Sequence, residues 1–210
     1  MVHLLIHAPD LDGNATSETR FGGRPSVPEG ELAWPVCRSC GGHMQFLGQL
    51  RSVPPGSERD DLLLLFMCQN DPGLCEEWDA DAGGNAAVAV SADDLRHAQP
   101  PSEGVVLRDT CYGAAVLPFA AADYDAARDA WAAANGRSPR EVLGQAGGEP
   151  AWVQNDETPS CELCGEPMTL VAQLEQGPAA GTEMNFGGGG CAYVFRCRRD
   201  ALSAKMLWQC

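Results

Sequence analysis

The sequence predicts an α+β protein in which a β-rich unit is duplicated with pseudo-twofold symmetry and a few short helices lie between the copies. The first observation behind this is a repeat: CRSCGGHMQFLGQL (residues 37–50) returns without a gap as CELCGEPMTLVAQL (residues 161–174). The second is a Gly-Gly-x-Pro element ahead of each copy, ending at Pro25 and at Pro150. Because two copies are too few for a stacked repeat array, we expect them to share one core.

The strands of the first copy are predicted from apolar runs that lie between turn residues. HMQFLGQL and LLLLFMC should pair as antiparallel strands around the polar turn RSVPPGSERDD, and AAVAV (residues 86–90) should form another strand. Ahead of these, residues 21–35 are so rich in glycine and proline that we expect no regular structure there.

Three short helices are predicted from capping residues and apolar spacing. Residues 91–97 begin with a Ser-x-x-Asp pattern that resembles a capping box. Residues 123–135 are rich in alanine, place their aromatic residues on one face, and end before Gly136. Residues 138–145 begin with serine, proline and a glutamate three positions after the serine, which favours a further helix.

These elements divide the chain into three parts. Residues 1–110 form the first β-rich repeat with its cysteine knuckle, residues 111–146 form a helical connector, and residues 147–210 form the second β-rich repeat. We expect the two halves to make one compact domain, since a chain of 210 residues is within the size range of a single core.

The charge of the chain excludes several classes of partner. The 29 Asp and Glu against 14 Lys and Arg give a formal charge of -15, which repels phosphate backbones and anionic lipid surfaces. The sequence has no apolar run of the roughly eighteen residues that a membrane-spanning helix needs. Its first residues have no basic leader, so a cytoplasmic location is predicted.

Ten cysteines in such a chain point to metal ligation rather than to disulfides, because the cytosol keeps thiols reduced. A Cys-x2-Cys turn lets two thiolates converge on one ion, and zinc prefers sulfur-rich tetrahedral sites. Pairing of the two strands of the first copy brings a third cysteine beside the knuckle, and a fourth returns after the turn QNDPGL. The predicted zinc ligands of the first site are Cys37, Cys40, Cys68 and Cys75. His43 is an alternative to one of them.

The second copy predicts a less complete zinc site with three cysteine ligands, Cys161, Cys164 and Cys197. Its fourth ligand stays open between Asp200, Cys210 if the final strand takes another path, a water molecule, and none. If the final strand runs back along CAYVFRC, Cys210 falls opposite Cys191, and the two form a cross-strand thiol pair. Four thiolates leave no open coordination position, so the first zinc is expected to be structural, whereas the second keeps a catalytic option.

Four stretches carry a resemblance to a known family: FGGRPSVPEGELAWPVCRSCGGHMQFLGQL, FMCQNDPGLCEEWDADAGGN, GGEPAWVQ and CAYVFRCRRDALSAKMLWQC. Together they resemble the YwqG-like family of bacterial proteins of undefined function, in a cysteine-rich version. That family is similar, more distantly, to programmed cell death protein 2 and its relatives, which are chaperones for a ribosomal protein. The resemblance implies a duplicated α+β fold and a protein-binding task, and it supplies no catalytic residues. The chain departs from the pattern at Cys197-Arg198-Arg199-Asp200, where paired cysteines are expected.

The predicted function is a non-enzymatic, zinc-stabilised module that binds a protein or peptide client in a groove between its two halves. The negative charge favours a basic client, since opposite charge speeds encounter. The alternative is an enzyme that acts on a small molecule in the same cleft, using the incomplete second metal site.

Overall fold

The computed structural model describes residues 1–10, 15–16, 18–51, 60–200 and 202–210. Within these ranges the chain forms twelve strands, one α-helix and two short 3-10 turns, so the predicted α+β class is confirmed in a β-rich form. The elements are β1 (Val2–Ala8), β2 (Arg20–Gly22), β3 (Ser26–Pro28), β4 (Gln45–Arg51), β5 (Asp61–Met67), β6 (Asn85–Ser91), β7 (Leu95–His97), β8 (Cys111–Phe119), α1 (Tyr124–Asn135), β9 (Val142–Ala146), β10 (Thr169–Leu174), β11 (Cys191–Arg196) and β12 (Ala204–Gln209). The 3-10 turns are Pro139–Glu141 and Ala180–Thr182.

Ten of these strands, all within the described ranges, form one antiparallel sheet in the order β12-β11-β10-β9-β1-β8-β2-β4-β5-β6. The sheet curls until its two edge strands approach each other and is nearly closed. Contacts that join its ends include a hydrogen bond from the Trp208 N–H to the Trp78 carbonyl at 3.1 Å and an ion pair between Lys205 of β12 and Asp81. The remaining two strands, β3 and β7, form a small separate sheet.

The strand predictions for the first copy are confirmed. HMQFLGQL supplies β4 and LLLLFMC supplies β5, which pair antiparallel with Gln45 opposite Met67. The predicted strand at residues 86–90 is β6, which pairs with β5. The predicted turn between β4 and β5 falls mostly on residues 52–59, which lie outside the described residues.

Three local predictions are wrong, each because strand pairing overrides the local sequence pattern. Residues 91–97 do not form a helix, since β7 pairs antiparallel with β3. The same pairing, and that of β2 with β4 and β8, gives regular structure to residues 21–35, where none is expected. The helix predicted at residues 138–145 is a single 3-10 turn followed by β9, whose five buried residues lie between β1 and β10.

The alanine-rich helix is confirmed as α1. The Asp123 carboxylate accepts a hydrogen bond from the Ala126 N–H at 2.9 Å, which caps its first turn. Gly136 ends the helix with a φ of 62°, the left-handed conformation typical of a helix terminus. The buried face of α1, which includes Trp131, packs on β1. No helix in the described part of the chain is long and apolar enough to cross a membrane.

The sheet buries apolar residues on both of its faces. Its inner face carries the largest cluster, with residues from β1, β4, β5, β10, β11 and β12. Three smaller clusters lie on the outer face: one under α1, one behind β4 and β5 with Cys37, and one behind β10 and β11 with Cys161. Each knuckle therefore closes one end of an outer apolar cluster.

The strands β1 and β8 lie between the two knuckle-bearing parts of the sheet. On one side follow β9 to β12, and on the other β2 and β4 to β6. Residues 111–146 carry α1 and also β8 and β9, which both pair with β1. The division of the chain into two repeats and a connector stays a prediction.

Candidate metal centres

The first knuckle is a tight turn held by its own backbone. The Cys37 N–H donates to the Gly42 carbonyl and the Gly41 N–H donates to the Cys37 carbonyl, both at 2.9 Å. Gly41 has a φ of 72°, a conformation that costs glycine little and other residues more. The turn therefore directs Cys37 and Cys40 toward the same point, just before β4 begins.

Four sulfur atoms meet at this knuckle, each within 4.8 Å of the others, and they belong to Cys37, Cys40, Cys68 and Cys75. The Cys40 and Cys68 sulfurs are 3.7 Å apart, which is too long for a disulfide. Two sulfurs bound at about 2.3 Å to one tetrahedral ion lie about 3.8 Å apart. The four predicted residues therefore come together in a geometry that fits one tetrahedral ion, while His43 lies outside this group.

The loop between β5 and β6 contains the fourth cysteine, and a buried carboxylate holds the backbone of this loop in place. Glu77 is almost fully buried and accepts hydrogen bonds from the N–H groups of Gly73 and Cys75. The Asn85 amide donates to the Glu77 carbonyl at 2.9 Å. The loop is also tied to the knuckle, because the Arg38 N–H donates to the Gly83 carbonyl at 3.0 Å.

Sequence reasoning missed Asn70, two positions after Cys68. Its side-chain amide lies 3.4 Å from the Cys40 sulfur and 3.4 Å from the Cys68 sulfur, and it also donates to the His43 carbonyl. An amide donor that faces two sulfurs stabilises thiolate charge. The signal in the sequence that could have identified Asn70 is a polar residue two positions after a ligand cysteine.

The thiols of the two clusters ionise unequally. The Gly42 amide, followed by the Asn70 side chain, lowers the pKa of Cys40 to about 7, whereas burial raises the pKa of Cys68 and of Cys75. In the second cluster the Ser203 hydroxyl lowers the pKa of Cys161 to about 6. Each cluster thus has one thiol whose pKa lies near neutral pH, and thiols bind metal ions in their deprotonated form.

The second knuckle repeats the backbone of the first. The Cys161 N–H donates to the Glu166 carbonyl at 2.9 Å, and the Gly165 N–H donates to the Cys161 carbonyl at 2.8 Å. Gly165 has the same φ of 72° as its counterpart in the first knuckle. The hairpin of β10 and β11 also has a register shift near its start, as does the hairpin of β4 and β5.

The second cluster contains three of the predicted ligands, Cys161, Cys164 and Cys197, with sulfurs within 4.8 Å of one another. The Cys164 and Cys197 sulfurs are 3.6 Å apart, again the spacing of two ligands on one ion. Within the described part of the chain neither of the two candidates for a fourth ligand, Asp200 or Cys210, joins this group. The Asp200 N–H instead donates to the Cys197 sulfur, and its carboxylate accepts from the Leu202 N–H.

The predicted thiol pair of Cys191 and Cys210 is wrong in its register. β11 and β12 pair with Cys191 opposite Gln209, so Cys210 lies one position beyond the end of the strand. Cys191 is buried, and burial raises its pKa to about 12. All ten cysteines, which fall within the described ranges, are free thiols.

A pocket of about 440 Å³ opens beside the second cluster. Two of the three clustered cysteines, Cys164 and Cys197, line it, and Arg198 and Arg199 form another part of its wall. The two arginines are exposed, and Cys164 is partly exposed. In the sequence these arginines are noted only as part of the departure Cys197-Arg198-Arg199-Asp200, because nothing in their spacing shows that a pocket lies beside them.

No protein family profile matches the sequence, and no curated protein matches it. The resemblance to the YwqG-like family therefore stays a prediction.

Proposed function

We propose that this protein is a non-enzymatic module that a structural Zn²⁺ in the first cluster stabilises and that binds an extended, basic segment of a client protein. The observation that carries the binding proposal is an exposed apolar stretch of β8. Here Ala115, Val116, Leu117 and Pro118 are all exposed, although they lie within a strand.

Unequal pairing explains this exposure. β1 pairs with β8 over its whole length, from Gly113 to Phe119, whereas β2 pairs only with Cys111–Gly113. Within the described residues no strand pairs with the other edge of β8 beyond Ala114, whose N–H donates to the Thr19 carbonyl. An exposed strand edge with apolar side chains is a template for an added strand from another chain.

The negative charge of the protein favours basic clients over acidic ones. The formal charge of -15 attracts a basic segment and repels acidic ones. β8 and β1 also lie in the middle of the sheet, between the two knuckle-bearing parts, as a binding site between the two halves requires. A basic segment in extended conformation therefore suits this site, since its backbone pairs with the strand edge and its positive charge is attracted to the negatively charged protein.

The zinc part of the proposal is supported by the four-sulfur cluster, because zinc prefers four thiolates over harder ligands and such sites are structural. Metal analysis of freshly reduced protein measures it directly. We expect at least one equivalent of zinc, and less than about half an equivalent would contradict the proposal.

The binding part requires a client and matched variants. Affinity capture from lysate with mass spectrometry identifies candidates, and binding of a purified candidate is then measured for the wild type, Leu117→Lys and Val105→Lys. Both variants add one positive charge at an exposed apolar residue, but only Leu117 lies on the β8 edge. We expect Leu117→Lys alone to weaken binding by about tenfold or more, since a buried charge costs several kcal/mol at an interface. Equal affinities of the two variants, or capture of acidic proteins alone, would contradict the proposal.

The alternative function, an enzyme acting on a small molecule, is favoured by the pocket beside Cys164 and Cys197. Its lining contains one carboxylate, Glu166, which pairs with Arg199 at the surface. Turnover of a small-molecule substrate that stops in Cys164→Ala would support this alternative over the binding module.

We further propose that the two knuckle hairpins are copies of one duplicated unit related by a pseudo-twofold axis. The matching turn hydrogen bonds, the equal φ of Gly41 and Gly165, and the matching strand order support this. Superposition of residues 36–50 and 62–68 on residues 160–174 and 191–197 in an experimental structure measures the rotation between them. A rotation far from a half-turn would contradict the pseudo-twofold relation.

A further inference from the structure

The second cluster differs from the first in what surrounds its sulfurs. The Ser203 hydroxyl lies 3.4 Å from the Cys161 sulfur, and the N–H groups of Arg199 and Asp200 donate to the Cys197 sulfur, each at 3.4 Å. These donors stabilise thiolates, but none of them replaces a fourth metal ligand. The described part of the chain supplies three sulfurs and the pocket reaches two of them.

The wall of the pocket suits an anion. The Arg198 Nε donates to the Thr169 hydroxyl at 2.7 Å, which orients the guanidinium at the rim. Arg199 lies 3.4 Å from the Glu166 carboxylate, a distance typical of a weak surface pair. Planar guanidinium groups bind carboxylates through two parallel hydrogen bonds.

We propose that the second cluster binds a metal ion through Cys161, Cys164 and Cys197 and takes its fourth ligand from a small thiol that carries a carboxylate. The thiolate completes a four-sulfur set like that of the first cluster, and Arg198 and Arg199 bind the carboxylate. On binding, a metal–sulfur bond replaces a bond to solvent water and the thiol proton goes to the solvent, so no oxidant or reductant is needed. The proposal is independent of client binding at β8.

Cobalt substitution provides the test, because Co²⁺–thiolate charge-transfer absorbance grows with the number of bound sulfurs. Reduced protein first receives one equivalent of Zn²⁺, which binds thiolate sites more tightly than Co²⁺ and fills the four-sulfur cluster. One equivalent of Co²⁺ then reports on the second cluster. Thioglycolate, which has a carboxylate, and 2-mercaptoethanol, which has a hydroxyl group instead, are titrated separately.

We expect Co²⁺ to bind with a three-thiolate spectrum that gains intensity with either thiol. Half-saturation should need an at least about tenfold lower concentration of thioglycolate than of 2-mercaptoethanol. The double variant Arg198→Gln/Arg199→Gln should remove this difference between the two thiols and keep the three-thiolate spectrum. The control variant Arg137→Gln/Arg140→Gln makes the same charge change beside α1 and should keep the difference between the two thiols. Three outcomes overturn the proposal: failure of Co²⁺ to bind, a four-thiolate spectrum without added thiol, and equal half-saturation by the two thiols.

Discussion

The two cysteine knuckles share a backbone and differ in the loop that follows their hairpins. In the first, the Cys68 N–H donates to the Gly84 carbonyl, and in the second the Cys197 N–H donates to the Ser203 carbonyl. The return strands β6 and β12 therefore begin at equivalent places. The intervening loops are residues 69–84 in the first case and residues 198–203 in the second.

This difference in loop length decides the ligand count. The longer loop leaves room for a turn that brings Cys75 back to the knuckle, with the buried Glu77 holding its backbone. The shorter loop leads into β12, and its described residues offer backbone N–H groups and the Ser203 hydroxyl to the sulfurs. The same hairpin thus makes a closed four-sulfur centre in one place and a three-sulfur centre beside a pocket in the other.

The largest expected effect comes from removing one ligand from each centre. Cys75→Ser should unfold the first half, because structural zinc contributes folding free energy on the order of 10 kcal/mol. Cys164→Ser should leave the fold largely intact, since a three-sulfur centre beside a pocket contributes less. Urea unfolding followed by circular dichroism, with and without a chelator, measures both. Equal losses in the two variants would remove the distinction between the centres.

A second prediction concerns the contact that joins the two halves across the inside of the sheet. Arg196 of β11 makes two hydrogen bonds to the Asp61 carboxylate of β5, and its side chain is mostly buried. Asp61→Ala should lower the free energy of unfolding by about 3 kcal/mol, because it removes the carboxylate that accepts two hydrogen bonds from a mostly buried guanidinium.

The neighbouring Asp60 is the matched control for this change. It pairs with Arg51 at the surface, so Asp60→Ala should cost less than about 1 kcal/mol. Denaturant unfolding measures both variants. A loss for Asp61→Ala as small as that for Asp60→Ala would mean that the halves do not depend on this ion pair.

A third prediction sharpens the comparison at the turn itself. Gly41 and Gly165 have the same positive φ and open space around the position of a Cβ atom. Gly41→Ala and Gly165→Ala should therefore each cost about 1 kcal/mol, from backbone strain alone. Unfolding of metal-free and metal-loaded protein separates this strain from any loss of metal. A cost several-fold larger in one variant would show that the two turns are not equivalent.

The smallest effect is the pH dependence contributed by Cys191 in the second half, which stands at the position of Leu62 in β5. Burial raises the pKa of Cys191 from 9.0 to about 12, so the folded state keeps this thiol neutral after the unfolded state has ionised. Its contribution to stability is complete below pH 9 and decreases as the pH rises from 9 toward 12.

At pH 9.5 this thiol should account for about 0.8 kcal/mol of lost stability. Cys191→Ala should remove that part of the pH dependence, and Leu62→Ala should leave it unchanged. Free energies of unfolding measured between pH 7 and pH 9.5 test this, with the slope compared rather than the absolute stability. The same slope in Cys191→Ala and the wild type would assign the alkaline loss to other groups.

Much of the first centre was predictable because its signals are local. Cys-x2-Cys followed by glycine specifies a turn, the apolar runs specify β4 and β5, and their pairing brings Cys68 to the knuckle. The helix α1 was predictable for the same reason, since Asp123 and Gly136 cap a regular apolar face. By contrast, the helices predicted at residues 91–97 and 138–145 rested on capping patterns alone, and strand pairing overrode them.

By itself, the sequence determined the β-rich class, the two knuckles and the seven cysteines that cluster in them. These depend on hydrophobic runs and on spacing within short segments, which local stereochemistry translates directly into structure. Only the tertiary structure decided the near closure of the sheet, the exposed edge of β8, and the pocket between Cys164 and the two arginines. These depend on contacts between residues far apart in the chain, and no local pattern specifies which distant groups the folded backbone brings together.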